Sequence, residues 1–153
     1  MTGFFNYEGT PPEDQFLGKW SELDWRKFTE FVRIQRFSKG DVLVQKGDLS
    51  RELLILTRGS IVVDIPQSEA TGVNLSITIQ AGNIVGEQAF IDGLPRSQSL
   101  VAGDDGEMMV VTYQNFESLI AREPQLGREF IVDVARILSK RLRNTTERAM
   151  TGE

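Results

Sequence analysis

GDVLVQKGDLSRELLILTRGSIVV, Gly40 to Val63, is a series of short Val-, Leu- and Ile-rich runs cut by glycine. The runs DVLVQ, ELLILT and SIVVDI are too short for stable helices and rich in residues that suit a pleated surface. Lys46-Gly47-Asp48 and Arg58-Gly59-Ser60 separate them as tight turns that call for a positive φ. The same grammar continues in NLSITI, SLVA and EMMVVT, and nine of the fourteen glycines fall between Gly40 and Gly106. Short strands at this spacing predict an antiparallel sandwich or barrel. No stretch recurs closely enough to count as an internal repeat.

Outside this block the period changes. SELDWRKFTEFV, residues 21–32, predicts an amphipathic helix, with Ser21 and Asp24 at capping-box spacing and Trp25, Phe28 and Val32 on one stripe. Residues 1–20 show no clear period and read as an irregular arm. After Thr112, YQNFESLIAREP predicts a short helix ended before Pro124. Leu126, Phe130, Val134, Ile137, Leu138 and Leu142 then form a helical stripe running to about Arg143. The remainder, residues 144–153, reads as a polar tail. The expected fold class is α+β, mainly β: an antiparallel, jelly-roll-like β-roll flanked by an N-terminal helix and two C-terminal helices. Residues 21–143 form one folded unit in this reading.

At 153 residues the chain is long enough for one core. It contains neither histidine nor cysteine. That removes the commonest general base, the commonest metal ligand, disulfides and thiolate metal sites. A binding protein, not an enzyme, is therefore expected, with no metal. No run approaches the roughly 18 apolar residues of a membrane span. The opening MTGFFNYEGTPPEDQ has no basic segment followed by an apolar one, so a cytoplasmic location without membrane insertion is expected.

The net charge of −5 is uneven. Gly40 to Thr112 carries four basic residues against ten acidic ones, whereas Arg122 to Arg148 carries seven against four. An acidic body does not suit general nucleic-acid binding, which depends on phosphate neutralisation. The basic residues of the last helix, Arg128, Arg136, Lys140, Arg141 and Arg143, read as a solvated face.

Within the acidic body stands GEQAFIDGLPRS, Gly86 to Ser97. Residues 87–91 suit a single helical turn, brought back by Asp92-Gly93 and Pro95. A helix start presents free N–H groups and a positive dipole end to an anion. Arg96 beside it would add a full charge and a fork of donors that fits a phosphate. Glu87, an acceptor, suits a sugar hydroxyl. Phosphate beside hydroxyl is nucleotide chemistry. The plainer alternative is that Arg96 balances a neighbouring acid, in an ion pair with Glu87 that stitches the segment shut.

Taken together, these residues resemble the cyclic-nucleotide-binding domain family, of the catabolite-activator and kinase-regulatory-subunit type. The resemblance runs from about Phe37 to Leu142. FSKGDVLVQKGDLSRELLILTRGSIVV matches the family's glycine-rich opening, and Gly86, Glu87, Ala89, Pro95, Arg96 and Ser97 match its phosphate-binding cassette. The resemblance implies a β-roll in which Glu87 accepts from the ribose 2′-hydroxyl and Arg96 pairs with a phosphate oxygen. The Ala89 and Ser97 N–H groups would complete the cradle, and the long C-terminal helix would lie over the base as a lid. It also implies that ligand binding moves the cassette and that the following helices respond. Gln88 and Gln98 depart from the pattern, where an apolar residue and alanine are usual.

The expected ligand-binding set is therefore Gly86, Glu87, Gln88, Ala89, Arg96, Ser97 and Gln98. The expected function is a stand-alone cyclic-nucleotide sensor, with cyclic AMP slightly preferred over cyclic GMP. It would relay binding to an unknown protein partner, or to a second copy through the C-terminal helix. Only about ten polar residues follow Arg143, so no DNA-reading module is expected. The alternative from another class is a degenerate domain of the same fold, serving as an interaction module without ligand.

Overall fold

The computed structural model describes residues 10–11, 14–65 and 75–151. Eight strands form two four-stranded antiparallel sheets. They are β1 (Arg33–Phe37), β2 (Val42–Val44), β3 (Glu52–Arg58), β4 (Ser60–Ile65), β5 (Leu75–Gln80), β6 (Ile84–Val85), β7 (Leu100–Ala102) and β8 (Gly106–Thr112). One sheet runs β1-β8-β3-β6 and the other β2-β7-β4-β5. The helices are α1 (Glu22–Thr29), α2 (Glu87–Asp92), α3 (Tyr113–Arg122) and α4 (Pro124–Thr151). This is the mainly-β roll with flanking helices that the sequence pattern predicts. Gly47 and Gly59 take φ of 91° and 90°, as the turns required.

The roll has two cores because β3 and β8 are buried on both faces, which explains their nearly unbroken apolar runs. Leu54, Leu56, Met108 and Val110 face the opposite sheet, against Ile61, Val63 and Leu100. Leu53, Ile55, Met109 and Val111 face the helices, against Phe28, Phe90, Phe116 and Phe130. The register sets Leu54 opposite Val110 and Ile55 opposite Met109, so both strands alternate in step.

α1 begins as read: the Ser21 side chain accepts from Asp24 N–H, and the Asp24 carboxylate accepts from Ser21 N–H. It ends at Thr29, earlier than the apolar stripe suggested. Residues 33–37, not anticipated as a strand, are the polar edge strand β1, in which only Phe37 is buried. The arm is a correction. Phe16, Leu17 and Trp20 are buried in the helical core, and Trp20 Nε1 donates to Glu129 on α4 at 2.8 Å. Residues 1–9 and 12–13 of that arm lie outside the described residues.

α4 is the second correction. It does not stop near Arg143 but continues through the polar segment to Thr151. Leu126, Phe130, Val134 and Ile137 bury on the roll, whereas Leu142 and Met150 stand 67% and 83% exposed. α3 and α4 cross closely at Gly127, where a Cβ would lie 2.7 Å from Ile120 Cγ1.

Candidate functional site

Six residues, EQAFID, make α2, and local chemistry fixes both ends. Gly86 is the N-cap in the left-handed region, at φ 77°, and Gly93 closes the helix at φ 70° with its N–H donating to the Ala89 carbonyl. Buried Phe90 seats α2 on the helical core through ring contacts with Tyr113, Phe116 and Phe130. The helix is thereby held over the end of the roll, with Gly86 to Ala89 facing a cavity of about 520 Å³. That volume lies within the range of small-molecule sites.

All seven residues singled out in the sequence line this cavity. Val44, Val63, Ile77, Ile79, Val85 and Leu100 supply its apolar wall. Asp92, Leu94 and Pro95 line the cavity as well, and α4 adds Arg141, Asn144 and Thr145. The three from α4 were missed as site residues. Arg141 does carry a signal, for it continues the buried spacing of Val134 and Ile137 by one further turn.

Arg96 is 4% exposed, and its fork is already engaged. Nη1 donates to the Gly86 carbonyl at 2.8 Å, Nη2 to the Glu52 carbonyl at 2.5 Å, and Nε to Ser50 Oγ at 3.3 Å. Its backbone is pinned as well, since its N–H donates to Asp48 O and its carbonyl accepts from Gly47 N–H. Burial pulls the guanidinium below its usual range, opposed by the charges of Glu52, Asp48 and Glu87. A Cβ at position 86 would lie 2.6 Å from Arg96 Nη1, so glycine is needed there for space as well as for φ.

Glu87, 7% exposed, pairs not with Arg96 but with α4. Arg141 Nη1 donates to Glu87 Oε1 at 2.5 Å, and Arg141 Nη2 donates to the Ile84 carbonyl at 2.7 Å. The expected alternative of a Glu87–Arg96 stitch is therefore replaced by two separate arrangements. Of the basic residues read as a solvated face, Arg128, Arg136, Lys140 and Arg143 are exposed, Arg136 and Lys140 in surface pairs with Asp133 and Asp14. Only Arg141 is a correction, for it enters the site.

The two departures from the family pattern sit differently. Gln88 is exposed at the rim and accepts from Ser97 Oγ at 3.3 Å. Gln98 is half-buried on the cavity wall. Ser97 to Ser99 fall outside the ladder, because the strand begins only at Leu100. Ser99 Oγ instead accepts from Lys46 N–H. Among the described residues, no cluster of three or more acids could hold a metal ion. No helix among them is long and apolar enough to cross a membrane.

Comparison with known proteins gives a consistent answer. The family model described as "Cyclic nucleotide-binding domain" matches residues 34–123. The cAMP-activated global transcriptional regulator CRP of Salmonella typhimurium is 26% identical over 127 residues, covering 82% of this chain and 57% of that protein. Cyclic GMP-binding protein C of Dictyostelium discoideum is 25% identical over 125 residues, covering 81% of this chain and 5% of that protein. The chain thus spans little more than half of the first relative and a small part of the second. Among solved structures, a cyclic nucleotide-binding domain from Methylobacillus flagellatus superposes with a TM-score of 0.77 at 25% identity. The superposition covers 90% of this chain and 76% of that one. The catabolite activator protein of Thermus thermophilus gives the same TM-score at 20% identity, over 92% and 62%.

Proposed function

This chain belongs to the cyclic nucleotide-binding domain family, and we propose that its cavity takes a 3′,5′-cyclic nucleotide as the input of a regulatory module without catalysis. The observation that carries this reading is the convergence of a buried cation and a buried acid on one cavity closed by α4. Arg96 spends three of its donors on the protein. Each terminal nitrogen keeps one N–H, so the fork can meet a phosphate oxygen without releasing its carbonyls. Glu87 gives Oε1 to Arg141 and keeps Oε2 for a ribose hydroxyl. The apolar wall suits the base.

For base choice, Thr145 is informative. Its hydroxyl donates to the Arg141 carbonyl at 3.0 Å, so toward the cavity it can only accept. Facing the purine 6-position, such an acceptor suits the amine of adenine better than the carbonyl of guanine, and favours cyclic AMP.

The output in this reading is α4. Arg141 ties it to the cassette, and beyond Arg141 its described side chains are exposed. Leu142 and Ala149 fall on one side of this length one heptad apart, which suits pairing with a second copy. Calorimetric titration with cyclic AMP and cyclic GMP tests the reading. One-site heat with cyclic AMP is expected. Silence with both nucleotides would instead favour a ligand-free interaction module whose charged groups are satisfied internally.

A further inference from the structure

We propose that Arg51 is the positioning residue that carries occupation of the cassette into α3. Arg51 lies immediately before β3, outside the cavity lining. Its carbonyl accepts the N–H of Tyr113, the first residue of α3, at 3.1 Å. Its guanidinium lies over the ring of the same Tyr113, 3.6 Å from the centroid. From there Nε donates to Phe90 O and Nη2 to Ile91 O, both at 2.8 Å.

Those two carbonyls belong to the last turn of α2, where the peptide dipoles leave their negative end. α2 has no basic residue in its own last turn, so the complementary cation comes from Arg51. One side chain therefore grips the far end of the cassette helix and the near end of the next helix. The charged hydrogen bonds and the cation–π contact are both directional. Phe90 also touches Tyr113 and Phe116, at 5.6 and 5.7 Å between centroids, but ring packing tolerates sliding. A ligand seated against Gly86 to Ala89 tilts a six-residue helix as a unit, and Arg51 makes that tilt pull on α3. This inference rests on the nucleotide reading above for the origin of the movement.

The test uses the whole chain, cyclic AMP as the probe, and amide hydrogen exchange as the readout. In the wild type, saturation with cyclic AMP is expected to slow exchange in α2 and in the first turns of α3. In Arg51→Gln, α2 still responds while the change in α3 falls by at least about half, with calorimetric affinity within about threefold of wild type. Arg51→Lys keeps the charge but not the fork and falls between; it also serves if the glutamine variant does not fold. An undiminished α3 response in both variants overturns the proposal, as does a wild type that binds without any change in α3. A loss of affinity beyond about tenfold overturns it too, by making Arg51 part of the binding site. If the wild type gives no heat, the nucleotide reading fails and the clamp is judged alone. Exchange at Gly93 and at Tyr113 must then rise together in Arg51→Gln without ligand, and a rise at one of them only overturns it.

Discussion

Glu87 on the cassette helix and Arg141 on the last helix meet at 2.5 Å, 54 residues apart in sequence. The contact joins the floor of the site to its cover. Arg141→Ala leaves the buried Glu87 carboxylate without its cation and the Ile84 carbonyl without its donor. A hydrogen bond to a charged group is worth about 1.5–3 kcal/mol, so a loss of that order in denaturant unfolding is expected. The double change Arg141→Ala with Glu87→Gln should cost less than the two single changes added together, because either one already breaks the pair. Strict additivity in this double-mutant cycle would show that the two do not interact.

Arg96 is expected to support both the empty fold and the ligand. Its removal strands the carbonyls of Gly86 and Glu52, at about 1–3 kcal/mol for each buried unsatisfied group. Arg96→Ala should therefore lower the melting temperature of the unliganded protein and also weaken cyclic AMP by at least about tenfold. Reading Arg96 from sequence as a residue that merely waits for a phosphate predicts no change without ligand. An unaltered unliganded Tm would restore that simpler picture.

Two glycines separate strain from collision. Gly86→Ala and Gly93→Ala both force a left-handed residue, at about 1–2 kcal/mol. At Gly93 the nearest atoms to a new Cβ are those of Arg51, at 3.6 Å, an ordinary contact. At Gly86 the new methyl meets Arg96 Nη1 at 2.6 Å. Gly86→Ala should thus be the more destabilising of the two and the one that loses nucleotide binding. Equal binding by both variants would contradict this.

Sedimentation tests the free length of α4. The wild type should associate as a dimer, and Leu142→Asp should shift it to monomer without lowering monomer stability, since Leu142 is largely exposed on a single chain. Only monomer at high concentration, with and without cyclic AMP, would remove the pairing.

Competition defines the ligand class. Cyclic AMP should outcompete 5′-AMP, whose extra charge must enter a site where Arg96 is the single buried cation among the described residues. Equal displacement by the linear nucleotide would refute the proposed cradle.

What the sequence made legible was what is local. Glycine punctuation defined six of the strands, and the cassette was readable because twelve consecutive residues carry it. β1 escaped because Arg33, Gln35 and Arg36 give an edge strand no apolar alternation. Arg141 escaped because its partner is in another element, and the polar run after it looked like a tail. There the hydroxyls of Thr145 and Thr146 bond back to the carbonyls of Arg141 and Leu142, which lets threonine sit in a continuing helix. The inward bonds of Arg96 escaped for a related reason. A side chain that satisfies backbone carbonyls, one of them 44 residues away, leaves no trace in residue identity.

If α4 carries the output as proposed, the close crossing at Gly127 would make it a lever. An added Cβ at Gly127 would lie 2.7 Å from Ile120 Cγ1, so in the proposed relay this crossing would be the fulcrum. At 1.5 Å per residue, Arg141 stands about 21 Å along the rod from that point and Thr151 about 36 Å. A swing that moves Arg141 by about 1 Å therefore moves the free tip by about 1.7 Å. The magnification is set by chain length alone. In that proposed relay, helical residues added past Thr151 would lengthen the stroke while leaving the site unchanged.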